Sequence, residues 1–168
     1  MLRAARADPG RLVIGIDADA ASMRAASARA ARRKTPLANA LFVVAAVESL
    51  PKELHEVADR VTINFPWGSL LRGVVEGSSD VLGPIARAAV PGAEISLLFS
   101  IEERDVASAR VRVPGEAELA DGWTTRGFEV VDLRPATTDE IVASGSSWAK
   151  RLRAGSTRSV VLLHALRR

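Results

Sequence analysis

The stretch Val61-Thr62-Ile63-Asn64-Phe65-Pro66-Trp67-Gly68-Ser69-Leu70-Leu71-Arg72-Gly73 decides how the rest of the chain is read. A β-branched run climbs to Asn64, Pro66 then removes a backbone donor and ends the ladder, and Gly68-Ser69 opens the next element. Trp67 is therefore expected at the carboxyl end of a strand. In an open α/β sheet that is the edge at which ligands bind. Two readings of the indole stand side by side: a platform for a planar ligand such as a nucleobase, or a cap over the core beneath a loop.

Upstream, Leu12-Val13-Ile14-Gly15-Ile16-Asp17 is an apolar run ending in an acid, the pattern of a strand buried on both faces with a carboxylate at its tip. Ala40 to Ala46 repeats the pattern and is followed by Glu48, a second strand-tip acid. Such acids suit a nucleoside, because a carboxylate accepts from two ribose hydroxyls while a neighbouring strand end lies against the base. Glu48 reads equally well as an exposed acid in a first helical turn. Between the two runs, Ala18 to Lys34 is expected to be helical, with Arg29, Arg32, Arg33 and Lys34 crowded at its end before Thr35-Pro36. These cations form either a solvated helix end or a grip for phosphates.

Met1 to Ala7 reads as the tail of a helix. Downstream, a helix interrupted at Gly73, Gly77 and Gly83-Pro84 is expected from Leu70 to Ala89, then strands over Glu94–Ser100, Phe128–Leu133 and Ser159–Ala165 and helices over Glu116–Gly122 and Thr138–Ala143. Alternating strands and helices predict a mostly parallel, doubly wound α/β sheet. At 168 residues, 48% of them hydrophobic, the chain is read as a single domain spanning 1–168.

Net charge is only +3, but Arg is abundant and the isoelectric point is near 10.1, which makes nucleic acid a plausible partner. There is no cysteine, and the two histidines, His55 and His164, lie far apart, so no metal ligand set is visible. No apolar run is long enough to span a bilayer and no signal core opens the chain, so no membrane partner and a cytoplasmic location are expected. A monomer is expected.

Taken together, Gly15-Ile16-Asp17-Ala18-Asp19, Val47-Glu48-Ser49-Leu50-Pro51, Asn64 to Leu71, and Ser146-Ser147-Trp148-Ala149-Lys150-Arg151-Leu152 resemble the aminoglycoside-resistance 16S ribosomal RNA methyltransferases that modify N1 of the decoding-site adenine, adenine-1408. The likeness runs from about Asp8 onward, and its most specific part is Phe-Pro-Trp-Gly-Ser paired with the late Ser-Ser-Trp. The resemblance implies a Rossmann-like class I methyltransferase, with S-adenosylmethionine as cosubstrate and the 30S subunit as partner. It implies a target base flipped between Trp67 and Trp148, with Ser146 shaping the pocket. It implies Asp17 on the cosubstrate ribose, Ala46, Val47 and Glu48 against its adenine, and Asn64 at the next strand tip with the cosubstrate residues. Arg29, Arg32, Arg33, Lys34, Arg151 and Arg158 would meet rRNA.

That fold carries a Gly-rich loop after its first strand, roughly 20 residues ahead of the ribose-binding acid. Asp17 stands too near Met1 for it, so the domain is expected to be N-terminally incomplete, with its first strand and Gly-rich loop missing. Two alternatives remain: a tRNA guanine-N7 methyltransferase, whose Phe-Pro-Asp-Pro-Trp resembles Phe65-Pro66-Trp67 without the inserted Asp-Pro, and a non-catalytic RNA-binding remnant of the enzyme.

Overall fold

The computed structural model describes residues 1–32, 34, 36–101, 112, 114–146, 149 and 158–168. The chain gathers into two compact units, Met1–Pro51 and Lys52–Arg168.

In the first unit, helix α1 (Leu2–Ala7) leads to strand β1 (Val13–Asp17), helix α2 (Ala20–Ala30) and strand β2 (Ala40–Val44). β1 and β2 pair in parallel with Asp17 opposite Val44, and α2 crosses between them, the βαβ connection that parallel pairing needs. Asn39 ties the N-terminal segment down: its side-chain amide donates to the carbonyls of Ala5, Asp8 and Arg11 at 2.9, 3.0 and 2.9 Å. The strands differ from expectation in burial. Neither is enclosed on both faces, and Val44 is 55% exposed. A two-stranded sheet with one covering helix leaves apolar surface uncovered whatever its sequence. The helix also ends earlier than its composition predicts. Leu37 N–H bonds to the carbonyl of Ala30, turning the chain back and leaving Arg32 and Lys34 beyond the last turn.

The second unit is built on a four-stranded sheet in the order β3-β4-β6-β5, where β3 is Ala58–Asn64, β4 Ala89–Phe99, β5 Phe128–Pro135 and β6 Val161–Arg167. β3 and β4 are parallel, and β6 runs antiparallel to both β4 and β5. Helices α3 (Gly68–Val75) and α4 (Ser79–Ala88) follow β3, α5 (Glu116–Thr124) precedes β5, and α6 (Thr138–Ala143) follows it. Ile95, Leu97, Leu163 and Ala165 are fully buried at the centre of the sheet, with Leu71, Val74 and Leu82 from the two helices among the buried core.

Two boundaries depart from the sequence reading. β4 starts at Ala89 rather than Glu94, because a bulge against β3 between Ala58 and Arg60 absorbs Pro91-Gly92. Pro84 does not interrupt α4. Its neighbours Leu82, Ile85 and Ala86 are buried, and their packing offsets the lost hydrogen bond.

Trp123 organises the helical layer of this unit. It is fully buried, its indole N–H donates to Val74 O at 2.8 Å, and its ring lies 5.3 Å from that of Phe128 at 57°. The reach from α5 to α3 depends on two glycines meeting: a Cβ on Gly77, which has φ +67°, would stand 2.7 Å from the Cα of Gly122.

Candidate active site

β3 delivers its last residue, Asn64, exposed at the strand tip opposite Leu98. The chain then takes an uncommon step. Phe65 has φ +52°, a left-handed conformation that costs a residue with a Cβ roughly 1–2 kcal/mol and that a following proline further disfavours. Two contacts surround it. Its amide donates to Leu98 O at 2.7 Å, and its ring, 6% exposed, is buried in a cluster with Leu98, Ile141, Ala149 and Val160, against which Ala136 and Leu162 pack. Pro66 follows, and Trp67 occupies the N-cap of α3 in an extended conformation. Gly68, at φ +61°, makes the turn into the helix. The indole of Trp67 contributes little to the core, since the residue is 65% exposed.

The second segment approaches the same cluster from β5. Thr137 and Glu140 form a capping box at the start of α6, and Arg134 of β5 binds Glu140 through two nitrogens at 3.0 and 2.7 Å while its Nε reaches Asp132 at 2.8 Å. Arg134 is the chief reason the Glu140 carboxyl is held down to about 2, helped by the Thr137 amide; the same pairing raises Arg134. Fixed in this way, α6 places Ile141 in the cluster and passes into a ladder of serines. Ser144 Oγ donates to Ile141 O at 2.6 Å, Ser146 N–H donates to Ser144 Oγ at 3.2 Å, and Ser146 Oγ accepts from Ala149 N–H at 3.4 Å. Half-buried Ser146 thus orients Ala149, and Ala149 packs in the cluster that holds Phe65. Phe65, two residues before Trp67, and Ala149, directly after Trp148 in sequence, share one apolar core. Trp148 itself, with Arg33 and Arg151, lies outside the described residues.

In the first unit, Asp17 is exposed at the tip of β1. Its Oδ1 accepts the Asp19 amide at 2.9 Å and its carbonyl accepts the amide of Ala45 at 3.1 Å, so the tips of β1 and β2 are joined. Half-buried Ala46 and Val47 follow immediately, Ala46 capping a short 3-10 turn (Val47–Ser49) in which Glu48 is exposed. An oriented, solvent-facing carboxylate beside a small apolar wall suits an adenosine: an acceptor for ribose hydroxyls and a surface for the base. Asp19 caps α2, accepting from the Ala21 amide and the Ser22 hydroxyl at 2.9 and 2.6 Å, and the Ser22 hydroxyl foremost lowers its carboxyl below the usual range.

Arg29, in the last turn of α2, and Arg32 and Lys34 beyond it are all exposed. Arg158 differs from expectation. It is 6% exposed, two residues ahead of Val160, which is buried in the apolar cluster and whose carbonyl accepts from Ala136 at 2.8 Å, so the chain runs inward here and does not present this arginine to an RNA backbone. Among the described residues no group of three or more His, Cys, Asp or Glu is gathered to hold a metal ion, and no helix is long and apolar enough to cross a membrane. Phe65, Arg134 and Glu140 are not singled out by the sequence. Thr137-x-x-Glu140 is a capping-box signature in the sequence, whereas nothing local marks Phe65 for a positive φ.

A parallel βαβ pair in the first unit, and in the second a parallel pair β3–β4 with β6 reversed between β4 and β5, are elements of the Rossmann-like fold of class I, S-adenosylmethionine-dependent methyltransferases. Residues 1–167 match the family described as NpmA: 16S rRNA (adenine(1408)-N(1))-methyltransferase, and the chain belongs to that family. The 16S rRNA (adenine(1408)-N(1))-methyltransferase of Streptoalloteichus tenebrarius is 32% identical over 95% of this chain and 78% of its own length. The enzyme of that name from Escherichia coli is 33% identical over 75% of this chain and 62% of its own. Among solved structures, a tryptophan-to-alanine variant of the Catenulisporales acidiphilia 16S rRNA (adenine(1408)-N(1))-methyltransferase with cosubstrate SAM superposes with a TM-score of 0.86 at 33% identity, covering 99% of this chain and 79% of that one. The aminoglycoside resistance methyltransferase NpmB1 gives 0.82 at 35% identity, covering 99% and 81%.

Proposed function

We propose that this chain methylates N1 of the decoding-site adenine, adenine-1408, of 16S rRNA in the 30S subunit and thereby confers aminoglycoside resistance. The observation that carries the reading is Trp67, a large aromatic 65% exposed just beyond the tip of β3. S-adenosylmethionine, when bound, supplies an electrophilic methyl group on its sulfonium. Asp17 would accept from the ribose hydroxyls of that cosubstrate, Ala46, Val47 and Glu48 would lie against its adenine, and Asn64 would contribute at the tip of β3.

Trp67 and Trp148 take the flipped adenine between them, with Ser146 shaping the pocket beside Trp148. Flipping costs a few kcal/mol and each stacked aromatic returns roughly 1–3 kcal/mol, so two indoles offset the cost. Adenine N1 carries its own lone pair, so the residues need to orient the base more than to remove a proton from it. The methylated base is cationic, and indole faces favour that charge as it develops. Arg29, Arg32, Arg33, Lys34 and Arg151 meet the phosphates of rRNA.

The reading takes residues 1–168 as one methyltransferase domain, acting as a monomer in the cytoplasm with the ribosomal subunits. Transfer of radiolabelled methyl to purified 30S subunits tests it. Trp67→Ala is expected to abolish transfer and Trp67→Phe to retain part of it, with S-adenosylmethionine affinity by calorimetry unchanged in both. Full transfer by a folded Trp67→Ala protein removes the stacking role. Failure of the wild-type chain to bind the cosubstrate leaves an RNA-binding module instead.

A further inference from the structure

We propose that Phe65 is a positioning residue for Trp67: its buried ring, packed with Leu98, Ile141, Ala149 and Val160, locks the backbone at φ +52° and so fixes the direction in which Trp67 leaves the tip of β3. The proposal rests on the stacking role given to Trp67 above.

A residue before proline relaxes to extended backbone unless something prevents it. The Phe65 amide bond to Leu98 O, at 2.7 Å, fixes one side of the peptide, but the rotation that carries Pro66 and Trp67 is set by where the ring is held. The side chain of Trp67 makes no capping hydrogen bond at the start of α3, and Gly68 has nothing within 4 Å of where its Cβ would stand. The anchorage of this corner is therefore the cluster beneath it. That cluster is not local to β3. Ile141 is delivered by α6, which Arg134 and Glu140 fasten to β5, and Ala149 by the serine ladder. A disturbance at Ala149 is transmitted to Trp67 through the ring of Phe65, and strain at a non-glycine residue next to a reactive site is where such a device is expected.

The test uses the full chain labelled with 5-fluorotryptophan, its three fluorine resonances assigned by single Trp→Phe substitutions, together with single-turnover methyl transfer to 30S subunits. Phe65→Leu retains an apolar anchor and is expected to leave the Trp67 resonance in place and the rate within about threefold. Phe65→Ala is expected to move the Trp67 resonance and lower the rate at least tenfold with cosubstrate KM unchanged. Phe65→Gly, which tolerates positive φ without an anchor, is expected to fall between them. Loss of packing alone gives the reverse order, glycine below alanine, because glycine removes more of the side chain.

The buried Trp123 resonance reports that the core is folded. Should Phe65→Ala lose it, Ala149→Val, which crowds the same cluster from the other side, is read in its place and is expected to shift Trp67. A folded Phe65→Ala or Ala149→Val protein with an unmoved Trp67 resonance overturns the proposal, as does a glycine variant slower than the alanine one. The stacking reading fails separately, through a Trp67→Ala protein that still transfers methyl at the normal rate.

Discussion

The same substitution made at two tryptophans has opposite expected consequences. Trp67 is 65% exposed, so about a third of the roughly 250 Å² that an indole residue can bury is at stake, or about 90 Å². At about 25 cal/mol per Å² that is at most about 2 kcal/mol, less once residual burial in the unfolded chain is allowed for. Trp123 is fully buried and donates to Val74 O at 2.8 Å. Truncating it empties an aromatic site, at about 3–5 kcal/mol, and leaves a buried carbonyl without its partner. Urea unfolding followed by far-UV circular dichroism separates the two. Trp67→Ala should unfold within about 2 kcal/mol of the parent, and Trp123→Ala should lose most of its stability or fail to accumulate folded. Equal losses at the two positions would mean that Trp67 serves the core, and the reading of its exposed face would fall.

Charge reversal of Arg29, Arg32 and Lys34, exposed at and beyond the end of α2, should weaken 30S binding and flatten its dependence on salt, by about 0.7–0.9 in the log–log slope for each phosphate that is no longer neutralised; a slope unchanged in filter binding would leave them a solvated helix end. Glu140 titrates near 2 in the folded chain against 4.5 ordinarily, a lowered value, so its pairing with Arg134 contributes stability above about pH 4.5 that is lost as the pH falls through 2. Glu140→Gln should therefore be less stable than the parent at neutral pH, and the difference should vanish toward pH 2 in acid titrations monitored by circular dichroism. Gly77→Ala should cost about 2–5 kcal/mol, because it adds backbone strain at φ +67° to a collision with Gly122, whereas Gly68→Ala, at φ +61° in open space, should cost only the strain of about 1–2 kcal/mol; equal denaturation midpoints for the pair would contradict the close approach.

Much of this was legible from single residues. Pro66 and the glycine after Trp67 marked where β3 stops and α3 begins, and Asp17 was placed at its strand tip because an apolar run ended in an acid. α6 has the bounds that its sequence indicated, and its capping box is a local signal. What could not be read arises from neighbours distant in sequence. The left-handed Phe65 contradicts its local preference and packs with Ile141 and Ala149, more than 70 positions away. Pro84 stays inside α4 because tertiary packing overrides its breaking tendency. Arg158 looked like one more cation of a basic region, and only the inward course of the chain before β6 buries it. The apolar runs of β1 and β2 predicted burial on both faces, but burial depends on neighbours, and each of these strands is paired on one side only among the described residues.

Placement of a methyl group on N1 of adenine-1408 by this chain can be read out directly. The direct measurement is mass spectrometry of nucleosides from 16S rRNA of 30S subunits incubated with the protein and S-adenosylmethionine, with reverse transcription locating the modified position. The expected result is 1-methyladenosine at that adenine, blocking the reverse transcriptase there, and its absence when Trp67 is alanine. Cosubstrate binding with no methylated nucleoside, or a methyl group on another atom or another base, would contradict it.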